Sequence, residues 1–158
     1  LAEGLYLEAI AIDPQAADPG RPRWFDLDRF DGAPRVTNWI CRCDDLEASL
    51  AVMPAGAGAP VDLTRGDLRW RMAVPESGRL PYDNLFPALI QWQGDLHPGS
   101  MLAGSGCALR RLIVTHPQAE ALHDLLLPGL QGDLVVFENG KVGARAEIDT
   151  PHGMRVLA

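Results

Sequence analysis

VTNWICRC, residues 36–43, runs without a break into DDLEASLAVM, residues 44–53. The first eight residues read as a strand. Asp44 follows as a helix N-cap with Glu47 three residues on, a capping box with Asp in place of Ser or Thr. Leu46, Leu50 and Met53 then form one apolar helical stripe, and Pro54 stops the helix. The same arrangement returns once. Residues 109–115 are an apolar strand, Pro117 suits a first helical turn, and Ala121, Leu122, Leu125 and Leu126 are expected to face inward.

Working outward, residues 5–12 (LYLEAIAI) are apolar on both faces and predict a strand covered on both sides. Residues 1–4 read as a turn entering it. Residues 13–22 hold three prolines and one glycine and predict a loop. Trp24 and Phe25, between Arg23 and Asp26, read as loop or one helical turn, and residues 55–60 as a flexible Gly-rich stretch. Residues 68–74 alternate, with Leu68, Trp70, Met72 and Val74 on one face and Arg69 and Arg71 on the other. Residues 85–93 predict a strand, with Pro87 marking an edge or a bulge, and residues 94–106 a loop containing His97. Residues 134–137 and 142–148 flank Asn139-Gly140, a type I′ hairpin signal. Residues 154–157 add a short strand. The order β, βα, β, β, βα, β, β, β predicts an α+β fold of units that open with strand and helix and continue as strands.

A length of 158 residues fits one domain, and 47% hydrophobic residues are enough for a core. The net charge of -7, with no basic run, argues against nucleic-acid binding. No apolar stretch is long enough for a membrane helix, and no signal peptide is visible. Three cysteines, Cys41, Cys43 and Cys107, argue against a disulfide framework and for reduced, inert thiols in a cytoplasmic protein. No nucleophile elbow, Walker loop or dinucleotide-binding glycine pattern occurs. His116 and His123 carry no metal spacing. His97 is the one histidine placed as a candidate cleft residue.

Several segments in order carry a resemblance: GLYLE through IDP (residues 4–14), RPRWF (21–25), NWI with DDL (38–46), RGDLRW (65–70) and LIQW (89–92). Together they resemble the glyoxalase-like branch of the vicinal oxygen chelate superfamily, whose unit is βαβββ. The resemblance implies curved mixed sheets with a half-open cleft, and a first unit whose opening strand and helix precede Leu1, so that residues 1–158 form an N-terminally incomplete domain. It also implies a homodimer. Metal-bearing members place His on the first strand of a unit and Glu on its last. By that resemblance Glu8 matches a ligand position, Asn38 stands where His is expected, and Gln91 stands where Glu is expected. Neutral amides are weak ligands for zinc, iron or nickel.

The ligand-binding candidates are therefore Asn38 and Gln91, the aromatics Trp24, Trp39, Trp70 and Trp92, and Arg69 with Arg71 as a clamp for an anionic group. Glu8 is the candidate catalytic or accepting group, or else a strand carboxylate paired with Arg69 or Arg71. Two functions stay open. One is a small-molecule binding protein without a bound transition metal or other cofactor. The other is a lyase, isomerase or dioxygenase using a divalent metal. The amides at 38 and 91 favour the first.

Overall fold

The computed structural model describes residues 1 and 4–158, so the turn expected over residues 1–4 falls partly outside the described residues. The chain forms two compact units. One comprises Glu8–Ala33 and Asn38–Leu96, the other Leu1–Leu7, Pro34–Thr37 and His97–Ala158.

The first unit contains β1 (Ile40–Arg42), α1 (Leu46–Leu50), β2 (Ala59–Arg65), β3 (Leu68–Val74) and β4 (Ala88–Gln93). They make one sheet of order β1-β4-β3-β2, with β1 parallel to β4 and the other pairs antiparallel. A two-residue turn joins β2 to β3, where Arg65 pairs with Leu68 and Gly66 takes a φ of 58° that few side chains tolerate. The alternation in β3 and β4 then decides what each face meets. Ala73 and Leu89 are buried with Leu46 of α1, and Leu50 and Met53 pack against them. This is the apolar stripe expected of the helix, resting on the sheet.

The second unit contains a one-turn helix α2 (Pro98–Met101), then β5 (Ala108–His116), α3 (Ala119–Leu126), β6 (Val135–Asn139), β7 (Gly143–Thr150) and β8 (Gly153–Leu157). Its sheet has the order β6-β5-β7-β8. Leu122 and Leu126 of α3 are buried, and His123 stands edge-on to Phe137 of β6 at 5.6 Å. A bulge between Leu109 and Arg111 interrupts the β5–β7 ladder. Ion pairs join the same two strands, Arg111 to Glu147 at 2.7 Å and Arg110 to Asp149 at 2.9 Å. The fold is mixed α+β with two open four-stranded sheets, as the element order predicted.

Several expectations need correction. Residues 5–12 are not a strand and join neither sheet; Leu7 and Ile10 are exposed. The division between the two units falls at Leu7 and Glu8, inside the segment. The strand expected over 36–43 shrinks to three residues, Ile40–Arg42. The N-cap of α1 is Asp45, whose Oδ1 accepts from Ala48 N at 2.9 Å, and Glu47 turns to Arg71 instead of closing a capping box. Residues 55–60, expected to be flexible, instead hold a 3-10 turn over Ala55–Ala57 and the start of β2 at Ala59. Pro87 marks neither an edge nor a bulge; it ends the loop before β4, which lies inside the sheet. Pro117 precedes the Gln118 cap of α3, and Ala121 is exposed. Asn139-Gly140 does not form a hairpin, because β6 and β7 lie on opposite sides of β5. A type I′ turn needs positive φ at both residues, and neither has it. Gly140 is needed for another reason: a Cβ there would stand 2.8 Å from Thr115 Cγ2.

Candidate functional site

The face of the first sheet turned away from α1 carries Trp70 and Met72 of β3 and Ile90 and Trp92 of β4. Trp70 and Trp92 are register partners, with ring centroids 5.4 Å apart and planes tilted by 43°. Both are partly exposed. On β2, Leu63 pairs with Trp70 and Val61 with Met72, which extends the same apolar face to the sheet edge.

Each end of the face is closed differently. At one end Trp24, Phe25 and Leu80 stand with Met72, Val74 and Ala88 around a cavity of about 10 Å³, room for one water at most. At the other end Arg65, which shares the face of Leu63 by alternation, makes an ion pair with Glu8 at 3.4 Å. An apolar surface with few placed polar groups at its rim is the composition of a small-molecule site.

The Trp24 end is built from strained backbone. Phe25 and Asp26 have φ of 59°, and Tyr82, Asp83 and Asn84 have φ of 52°, 53° and 74°. Left-handed geometry costs a non-glycine residue about 1–2 kcal/mol, so something must hold these turns. Asn84, 7% exposed, supplies much of it. Its Oδ1 accepts from Leu80 N at 3.0 Å, and its Nδ2 donates to Phe25 O at 3.2 Å and to Asn38 Oδ1 at 3.4 Å. Asn38 Nδ2 in turn donates to Asn84 O at 3.2 Å. Arg79 reaches Asp83 at 2.7 Å and Asp26 at 3.8 Å, which pulls the two turns together. Gly78 lets them approach, since a Cβ there would lie 2.2 Å from Arg23 O.

The family model of the glyoxalase-like domain matches residues 1–129. The chain belongs to the glyoxalase-like domain family. It is thereby a member of the vicinal oxygen chelate superfamily. Neither a curated protein nor a solved structure matches it. The matched range covers the whole first unit sheet of this glyoxalase-like domain and ends before β6.

Within the domain, the residues singled out from sequence divide between the two faces. Trp70 and Trp92 come together on the face turned away from α1, Trp24 covers one end of it and Glu8 sits at the other. Trp39 and Asn38 brace the strained end, Trp39 Nε1 donating to Leu85 O at 2.7 Å. Gln91, Arg69 and Arg71 lie on the helix-bearing face. Gln91 Oε1 accepts from Leu46 N at 3.3 Å and its Nε2 donates to Asp44 O at 2.7 Å, so it fastens the start of α1. Arg71 binds Glu47 at 2.6 Å and Asp62 at 3.2 Å. The hydrogen bond from Arg71 holds the Glu47 carboxyl below its ordinary range, and the same bond raises Arg71. Glu8 pairs with Arg65 rather than with Arg69 or Arg71. His97 caps α2 in the second unit, its Nδ1 accepting from Gly99 N at 3.1 Å.

Glu8, Asn38 and Gln91 therefore do not form one ligand set: the first two turn to Arg65 and Asn84, and the third is on the other face. Among the described residues no three His, Cys, Asp or Glu side chains are gathered to hold an ion. Arg65 and Asn84 were missed from sequence. Asn in a Pro-Tyr-Asp-Asn tract was a readable signal, since Asn tolerates left-handed turns and bonds local backbone. Arg65 carried none, because β2 itself was not foreseen.

Proposed function

We propose that this domain binds a small, partly apolar molecule flat against the Trp70–Trp92 face, without a tightly bound transition metal. The observation that carries the reading is the tryptophan pair itself. Two large aromatic rings, partly open to solvent, occupy a sheet face that α1 does not cover. Aromatic rings supply contact area at little conformational cost. Glu8 at the rim accepts a hydrogen bond or a proton from the ligand, with Arg65 orienting its carboxylate. Asn38 acts behind the face by bracing the Trp24 turn, and Gln91 acts on α1.

The test is a thermal-shift screen of small aromatic and alicyclic compounds, since a molecule that binds only the folded state raises its Tm. Compounds that stabilise the native chain should lose their effect in Trp70→Ala and Trp92→Ala and keep it in Gln91→Ala. Elemental analysis of protein purified without chelator addresses the alternative, a metal-dependent lyase, isomerase or dioxygenase. One equivalent of transition metal that disappears in Glu8→Gln would favour that alternative and overturn the proposal.

A further inference from the structure

Trp24 carries a polar atom that its surroundings do not use. Its indole Nε1 is sealed from solvent and has no hydrogen-bond partner among the described residues. A buried donor without an acceptor is costly, and native proteins hold few of them. The ring lines the small cavity over Met72, Val74 and Ala88, and Arg21 lies over it at 4.6 Å from its centroid. The two residues that follow are left-handed and pinned from outside. Asn84 holds the Phe25 carbonyl, Gly78 O accepts from Asp26 N at 3.0 Å, and Arg29 holds the Asp26 carboxylate at 2.6 Å. The backbone is thus fixed immediately after Trp24, while the ring itself is held by packing and by one exposed arginine.

We propose that Trp24 selects the ligand by polarity: its Nε1 donates to a carbonyl-type oxygen of a small aromatic or alicyclic compound that displaces the ring from the cavity. The inference rests on the Trp70–Trp92 reading and adds the ligand's chemical class to it. An indole N–H only donates, so the ligand must present an acceptor. The other lining residues, Phe25, Met72 and Leu80 among them, are all apolar, so the rest of the molecule is apolar too. The cavity of about 10 Å³ admits no such molecule as it stands, so the Trp24 ring must rotate about its own side-chain bonds, next to the fixed Phe25–Asp26 turn, for the ligand to enter.

The test uses two probes of one shape, acetophenone and α-methylstyrene, in which a methylene replaces the carbonyl oxygen. Their affinities are measured by ligand-observed NMR on native chain, Trp24→Phe and Trp70→Ala. The ratio of acetophenone to α-methylstyrene affinity should fall roughly five- to tenfold in Trp24→Phe, the size of one hydrogen bond. The Trp24 indole N–H proton of the native chain should move downfield, as a hydrogen-bonded N–H does, with acetophenone and not with α-methylstyrene, a readout that stands even if Trp24→Phe fails to fold. An unchanged ratio, or an indole resonance indifferent to acetophenone, overturns this inference alone if both probes still weaken in Trp70→Ala. Probes that do not bind, or that bind equally well to Trp70→Ala, overturn the reading beneath it and this inference with it.

Discussion

Asn84 holds together the left-handed turns at the Trp24 end of the candidate site. It takes a φ of 74°, where asparagine is tolerated and alanine is strained, and its side chain ties together Leu80, Phe25 and Asn38. Asn84→Ala should lower unfolding free energy by about 2–4 kcal/mol, combining lost buried hydrogen bonds with backbone strain. Asn84→Gly relieves the strain and should cost less; urea denaturation of both variants checks the order. Cys41 makes a second prediction. Burial pushes its thiol up to about 12, so it stays protonated and should resist a thiol reagent near pH 8 until the chain unfolds. At this scale the sequence was half legible. Alternation placed Trp70 opposite to Arg69 and Arg71 correctly. Gln91 was misplaced because the register was unknown: once Trp92 pairs with Trp70, its neighbour Gln91 must pair with Arg71 on the other face.

Helix α1 is only five residues long and depends on its ends. Asp45 caps it, and Gln91 reaches from β4 to satisfy Leu46 N and Asp44 O. Asp45→Ala should cost about 1 kcal/mol, while Asp44→Ala should cost close to nothing. Gln91→Leu should cost about 1–3 kcal/mol by leaving two backbone groups unpaired, yet leave binding at the Trp70–Trp92 face unchanged. In the other sheet, Arg111 holds the Glu147 carboxyl below its ordinary value of 4.5, chiefly through their hydrogen bond. A depressed folded pKa means that this contribution is full above 4.5 and is lost as pH falls through the lower folded value. Arg111→Leu should therefore flatten the acid limb of a stability–pH curve and leave its slope near neutral pH unchanged. Strand β3 and helices α1 and α3 were legible because each has one clear apolar period, and β5 because residues 112–114 are an unbroken apolar run. β2 alternates too, Ala59, Val61 and Leu63 against Pro60, Asp62 and Thr64, but the glycines and Pro60 at its start read as a loop and hid it. The β6–β7 connection was misread because Asn-Gly is a local signal, whereas the choice of partner strand is made by the whole sheet.

Two strand–helix–strand–strand–strand runs follow one another in the chain, but they do not pair alike. The first orders its strands β1-β4-β3-β2, the second β6-β5-β7-β8. Periodicity made most of the chain order readable, apart from β2 and the strand wrongly expected over residues 5–12; pairing order was not readable, since it depends on contacts far apart in sequence. The largest misreading lies in residues 5–12 and 36–43, which look like strands by composition, whereas the first joins neither sheet and the second pairs only over Ile40–Arg42. The candidate site lies within the first unit alone, on one face of one sheet. A titration of isotope-labelled protein with acetophenone, followed in the proton–nitrogen correlation spectrum, tests that placement most directly. The account predicts that the indole resonances of Trp70 and Trp92 and the backbone amides of Leu63 and Met72 move, while the Gln91 side-chain amide and the amides of α1 stay. Shifts confined to α1 or to β5–β8, or no shifts at all, would contradict it.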